Sequence, residues 1–214
     1  TDVLGRLVEV LSGQSLDVFL AERILGPLGM VDTAFGLAED QRSRLAALHV
    51  PDPASRKAVR FDELAPVSRT VPSFLSGGGG LVSTADDYLR FCDFLLRQGE
   101  RNGVRLLSPR TVDYMTRNHL PGGSDLAGYA RSMFAETAYA GVGFGLGFSV
   151  VVDPAANKVL TSPGTFSWGG AASTGFYVDP VEEVTALFMT QLLPSSTWPL
   201  RSQLTQLVSQ AILA

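Results

Sequence analysis

The chain has 214 residues, 45% of them hydrophobic and 18% charged, with a formal net charge of −4. That is globular composition, outside the disordered, fibrous and membrane ranges, and the length suits one domain or most of a larger one. The acidic balance gives no electrostatic case for nucleic acid or an anionic membrane, and no apolar run reaches the roughly 18 residues that span a bilayer. The only lysines are Lys57 and Lys158, and the one cysteine is Cys92. Cys92 falls in a helical apolar stripe and reads as a buried core thiol. The lack of an internal disulfide is compatible with the cytoplasm but does not establish it. Thr1 opens the chain within a helical pattern and without Met, so a native N-terminus is expected upstream.

Val3, Leu4, Leu7, Val8 and Leu11 repeat at helical spacing, with Gly13 as the stop. Ser15 can cap a second helix with the stripe Leu16, Phe19, Leu20, Ile24 and Leu25, ended by Pro27 and Gly29. Residues 36–72 show no sustained period and carry Pro51, Pro53, Pro66 and Pro72, which reads as a long excursion. Gly77 to Gly80 mark a flexible or close-approach backbone. Thr84 and Asp87 have capping-box spacing at the head of a helix whose face is Tyr88, Phe91, Cys92, Leu95 and Leu96, ending at Gly99. Ser108-Pro109 starts another helix, with Val112 and Met115 inward.

From residue 142 the pattern becomes extended. Residues 142–152 are glycine-rich and then β-branched, Asp153 to Asn157 form a turn, and Lys158 to Ser162 can return as a strand. Residues 171–178 and 184–192 read as two strands around the turn Asp179-Pro180, and Leu200, Leu204, Leu207, Val208, Ala211 and Ile212 as a closing amphipathic helix. The fold class is therefore α/β of the α+β type, a mostly antiparallel sheet packed against helices. Residues 1–140 form the mainly helical region with long loops, and residues 141–214 the strands and last helix, without a linker between them.

Several chemistries lack residues to perform them. One cysteine and the distant His49 and His119 give no metal-ligand cluster, so no metal site is expected. No G-x-S-x-G elbow exists. Gly141, Gly143, Gly145 and Gly147 alternate, which places all four on one face of a strand as a flat packing surface, and no helix follows to cradle a phosphate. Asp86-Asp87 and Glu182-Glu183 read as solvated charges at a helix start and a turn.

Three segments together resemble one family: Gly26-Pro27-Leu28-Gly29-Met30-Val31-Asp32-Thr33-Ala34-Phe35, Gly79-Gly80-Leu81-Val82-Ser83-Thr84-Ala85-Asp86-Asp87, and Trp168-Gly169-Gly170-Ala171-Ala172-Ser173-Thr174. They look like the class C β-lactamase and penicillin-binding-protein type of serine hydrolase, which includes family VIII carboxylesterases and acyltransferases. The resemblance implies the β-lactamase/transpeptidase-like fold with its N-terminal part missing. That family uses a Ser-x-x-Lys, a Tyr-x-Asn or Tyr-Ser, and a Lys-Thr-Gly, His-x-Gly or Trp-x-Gly strand. A serine hydroxyl is weak until a base takes its proton, and lysine and tyrosine can share that task. The residues three before Lys57 and Lys158 are Ala54 and Ala155, and no tyrosine is followed by Ser or, two later, by Asn. The first two elements are therefore expected in an N-terminal segment of the same protein.

The third element is Trp168-Gly169-Gly170. The resemblance makes the backbone N–H of Ala171 one oxyanion donor, worth about 3–4 kcal/mol in such sites. It makes Trp168, Gly169 and Gly170 substrate-binding residues, the glycines leaving room against an exposed strand edge, with Phe166 and Tyr129 as further lining. Trp168 offers an N–H and an apolar face where Lys-Thr-Gly offers a charge, which favours esters over carboxylated β-lactams. The expected activity is a serine carboxylesterase-like hydrolysis through an acyl-enzyme, with no metal or organic cofactor and a small-molecule ester or β-lactam-like substrate. This segment alone is expected to be inactive. The alternatives are a catalytically inactive binding module of the same fold, or a β-lactamase, D-amino-peptidase or acyltransferase of the family.

Overall fold

The computed structural model describes residues 1–61, 71–129 and 139–212. Pro66 and part of the 36–72 excursion lie outside the described residues.

Helix α1 spans Asp2–Ser12 and stops at Gly13, whose φ of 71° is the left-handed conformation glycine adopts without cost. Helix α2, Leu16–Leu20, continues through a π-helical turn, Ala21–Leu25, into α3, Gly26–Leu28. The widened turn has a local cause. Pro27 has no N–H and its ring crowds the carbonyl four residues back, so the regular ladder cannot run through it. Ser15 takes the cap position without its hydroxyl capping the helix. The Glu9 carboxylate instead accepts from Leu16 N–H at 3.1 Å.

The 36–72 excursion holds more order than its sequence suggests. A 3-10 turn covers Glu39–Arg44, and strands β1, His49–Pro51, and β2, Ala58–Arg60, form a hairpin. Gly77 is a close approach, as expected: a Cβ there would stand 2.5 Å from the Thr1 carbonyl oxygen.

Helix α4, Ala85–Leu96, is capped by Thr84, whose side chain accepts from Asp87 N–H. The capping box is only half made. The Asp87 carboxylate turns to a different loop, accepting from Asp32 N–H at 2.7 Å and the Thr33 hydroxyl at 2.9 Å, and pairing with Arg90. Short strands β3, Glu100–Arg101, and β4, Val104–Arg105, lead to α5, Pro109–Met115, capped by the Ser108 side chain as expected.

A five-stranded antiparallel sheet follows in the order β5-β6-β7-β8-β9: Val142–Phe144, Ser149–Val151, Phe166–Gly169, Gly175–Asp179 and Val184–Phe188. The four alternating glycines do not share one strand face. Gly141 and Gly147 have positive φ and sit in turns outside β5. Gly143 and Gly145 do pack closely, against Asn118 and the Met115 carbonyl. Residues 158–162 are not a strand either. The one-turn helix α6, Pro154–Asn157, ends at a left-handed Lys158, and Ser162 N–H donates to Asp179 instead of pairing with β6. The partner of β6 is β7.

Helix α7, Leu200–Ala211, packs on β8 and β9. The opposite sheet face meets α4. Phe148, Val150, Phe166, Phe176 and Val178 join Leu25, Leu28, Met30, Cys92, Phe94 and Leu95 in one core. The helical first part and the sheet therefore share a single apolar interior, which resists division by the burial it would expose.

Candidate active site

The site is built where β7 outruns its neighbour. Strand β6 pairs β7 only at Ser149↔Ser167 and Val150↔Phe166. The Ser149 hydroxyl closes that last pair, donating to the Ser167 carbonyl at 2.9 Å. Trp168 and Gly169 still pair with Phe176 and Gly175 on β8. Strand β7 is thus central in the sheet, and its edge is open only from Trp168 onward.

Beyond Gly169 the backbone turns sharply. Gly170 N–H donates to the Thr174 carbonyl and Ser173 N–H donates to the Gly170 carbonyl, both at 3.1 Å. Residues 171–174 are therefore a turn and not the start of β8. Ser173 has φ of 69°, and its buried hydroxyl donates to the Leu192 carbonyl at 2.7 Å. Leu192 N–H donates back to the Ala172 carbonyl. The same segment binds the β1 hairpin through His49, whose N–H donates to the Gln191 carbonyl at 2.8 Å. A turn held from this many sides is preorganised, the property an electrostatic catalyst needs. Ala171 is exposed at its tip, and its N–H has no acceptor among the described residues.

The space above the glycines is occupied by the protein itself. A Cβ on Gly169 would stand 2.1 Å from Cζ of Arg201, and one on Gly170 would stand 2.6 Å from Oγ1 of Thr174. The expectation that these glycines leave room for substrate is corrected accordingly: Gly169 makes way for a guanidinium, and Gly170 for the turn. Arg201 Nε donates to the Thr174 carbonyl at 2.8 Å, and Nη2 to the Gly170 carbonyl at 2.5 Å.

Trp168 points to the opposite face of β7 from the Arg201 side, by the two-residue alternation of a strand. It is 45% exposed and stacks edge-on against Phe144 at 5.3 Å. Phe144 is held in turn by Asn118, whose side-chain oxygen accepts from Phe144 N–H at 3.1 Å. Phe166 does not belong with them. It is 3% exposed and packs on Phe148 at 5.2 Å in the core, which removes it from the candidate lining. Tyr129 is exposed after the turn Leu126–Gly128, and no described hydrogen bond or ring contact joins it to Trp168.

Arg201, Asn118 and Phe144 were not among the residues expected at the site. For Arg201 a signal was present. It stands three before Leu204 and seven before Val208, on the inward stripe of the last helix. An arginine there needs small residues opposite, and Gly169 and Gly175 are paired in the sheet beneath it.

An antiparallel sheet sandwiched by helices, with a Trp-Gly-Gly strand end open at its edge, is the architecture of the β-lactamase and penicillin-binding-protein type. The chain belongs to the beta-lactamase family, whose profile matches residues 1–210. Among curated relatives, Protein Rv1367c of Mycobacterium tuberculosis is 41% identical over 196 residues, covering 90% of this chain and 47% of its own length. Esterase EstB of Burkholderia gladioli is 32% identical, covering 88% of this chain and 47% of its own. The chain thus spans about half the length of these relatives. Among solved structures, simvastatin synthase of Aspergillus terreus superposes with a TM-score of 0.81 at 24% identity, over 99% of this chain and 53% of that one. EstCE1, a hydrolase with promiscuous acyltransferase activity, superposes with a TM-score of 0.76.

Proposed function

We propose that this chain forms the C-terminal half of the active site of a serine ester hydrolase or acyltransferase that works through an acyl-enzyme. The observation that carries the reading is the Ala171 N–H at the tip of a clamped turn, beside an open strand edge and the exposed face of Trp168. One fixed N–H donor suits the oxyanion that forms when a serine attacks an ester carbonyl. The nucleophilic serine, its lysine base and the tyrosine come from a segment upstream of Thr1, which also supplies the second donor. The Trp168 face receives an apolar acyl or alcohol group of a small neutral ester.

The surface supports a covering segment. Val3, Leu4, Leu7, Val10 and Leu11 on α1 are between 48% and 81% exposed, so the helix presents an apolar face outward. Strand β9 has a strand neighbour on one side only among the described residues. Exposed apolar faces and bare sheet edges of this kind are normally covered.

The experiment compares residues 1–214 alone with the whole protein, using p-nitrophenyl butyrate and a fluorophosphonate probe. The whole protein is expected to hydrolyse the ester and label once. The shorter chain is expected to do neither, since losing the nucleophile of such a unit removes on the order of a million-fold in rate. A whole protein that neither turns over esters nor labels would overturn the reading in favour of a non-catalytic binding module.

A further inference from the structure

We propose that Arg201 is a positioning residue for the oxyanion donor, acting through the Gly170–Ala171 peptide; this rests on the ester-hydrolase reading above. The Gly170 carbonyl and the Ala171 N–H belong to one peptide unit. That unit is trans, since the one cis bond among the described residues is Leu193-Pro194. In a trans peptide the C=O and N–H point in opposite directions. The Gly170 carbonyl points at Arg201 Nη2, 2.5 Å away, so the Ala171 N–H points away from the guanidinium and out of the turn.

Two consequences follow from the chemistry of that contact. The first is orientation. The Arg201 fork holds the Gly170 and Thr174 carbonyls at once, through Nη2 and Nε, and these are the two carbonyls that close the turn. A planar guanidinium with fixed donor geometry locks both in a way a point charge cannot. The second is polarisation. A positive donor on a peptide oxygen draws electron density through the amide and strengthens its N–H as a donor, as linked hydrogen bonds do. Arg201 therefore acts on a developing oxyanion without touching it, from the far side of the peptide.

The surroundings are shaped for this contact. Gly169 and Gly175 face each other across β7 and β8, and a Cβ on either would meet Arg201, at 2.1 Å from Cζ and 3.0 Å from Cγ. The pair forms a trough in which the side chain lies. An arginine needed only for solubility or helix charge would not require two facing glycines beneath its stem and head.

The test uses the whole protein with Arg201→Met and Arg201→Lys. Three quantities are measured: kcat per fluorophosphonate-labelled site with KM for p-nitrophenyl butyrate, the inhibition constant of an alkylboronic acid that mimics the tetrahedral adduct, and the melting temperature. Arg201→Met is expected to lower kcat by roughly 10- to 100-fold with KM changed less than about threefold, below the cost of deleting an oxyanion donor outright. The boronic acid should weaken by a similar factor, while a ketone analogue of the ester binds as before. Arg201→Lys keeps the stem and charge but loses the fork, so a smaller loss along the same trend is expected, and it carries the test if the methionine variant does not fold. Full kcat per labelled site with only a lower melting temperature, or a loss confined to KM, overturns the inference and leaves Arg201 a packing residue. A wild type that does not hydrolyse the ester overturns the ester-hydrolase reading and this inference together, which separates the two failures.

Discussion

Thr33 and Asp87, 54 residues apart in sequence, meet through a buried hydrogen bond of 2.9 Å from the Thr33 hydroxyl to the Asp87 carboxylate. The same carboxylate accepts from Asp32 N–H and pairs with Arg90, which reaches on to the Gly29 carbonyl. Thr33 also meets Ser83 at 2.7 Å, and Ala34 bridges Val82. The two family segments at 26–35 and 79–87 are thus halves of one clamp. It fastens the end of α3 to the start of α4, beneath the core that carries the sheet.

That clamp should be expensive to break. Asp87 is 1% exposed, so Asp87→Ala takes the shared acceptor from the Asp32 N–H and the Thr33 hydroxyl and the charge partner from Arg90, and is expected to cost about 3 kcal/mol or more in unfolding free energy. Thr33→Val removes the hydroxyl's contacts with both Asp87 and Ser83 and should cost about 1–2 kcal/mol. The double variant should cost less than the sum, because both act in one network. Urea denaturation of the four proteins measures this. Strict additivity would show that the contacts are independent.

Trp168 should behave as a site residue and not as a core residue. It is 45% exposed, and its ring contact is with Phe144 at the rim. Trp168→Ala is expected to cost under about 1.5 kcal/mol in stability, the range of a single aromatic pair. In the whole protein it should lower kcat/KM for a neutral p-nitrophenyl ester by about 3 kcal/mol or less, since the Ala171 donor remains. Trp168→Lys should move the kcat/KM ratio toward a carboxylated cephalosporin by charge pairing. If neither variant moves that ratio while stability falls, Trp168 is a packing residue.

Asp179 makes part of the stability depend on acid. Burial by itself would raise its carboxyl pKa, but N–H donors from Glu182 and Ser162 and the Thr165 hydroxyl outweigh it and hold the value below the ordinary aspartate range. A folded pKa below the unfolded one means stability that is fully present above the unfolded value, near about 3.9. It is lost as pH falls through the lower folded value. Asp179→Asn is expected to cost about 2–3 kcal/mol at neutral pH, and the gap to wild type should shrink below about pH 4. Unfolding curves at several pH values would show it. A gap independent of pH down to acid would mean that the charge plays no part.

Cys92 should be chemically silent in the native state. It is 0% exposed, and burial pushes its thiol up to about 12. The thiolate is the reactive form, so neither condition for reaction is met. A disulfide reagent such as Ellman's should find no thiol in the folded protein and one per chain in denaturant. Fast native labelling would place Cys92 on a surface and contradict the packing of α4 on the sheet.

The helices were legible in the sequence because their causes are local. Gly13, Ser108 and Thr84 mark helix ends through geometry or hydrogen bonds spanning three or four residues, and the stripe holding Cys92 and Leu95 faces the core as its period requires. The closing helix was legible for the same reason, and the Trp168-Gly169-Gly170 element by its family pattern. The antiparallel class of the sheet was legible from its β-branched runs, while the central strand β7 has no such run to mark it. What the tertiary structure decided is which atoms occupy the spaces those patterns leave. The Asp87 carboxylate could serve its own helix cap or a loop 54 residues away, and only the meeting of the two segments chose. The 158–162 stretch could extend as a strand until Asp179 claimed Ser162. Phe166 looked available beside Trp168 and shares its strand face, but its place two residues further into the sheet, packed on Phe148, buries it in the core. Glycine in sequence records that a side chain is excluded, not what excludes it. At Gly169 that is Arg201, brought from the last helix by packing on β8 and β9, and no local rule places a residue 32 positions away.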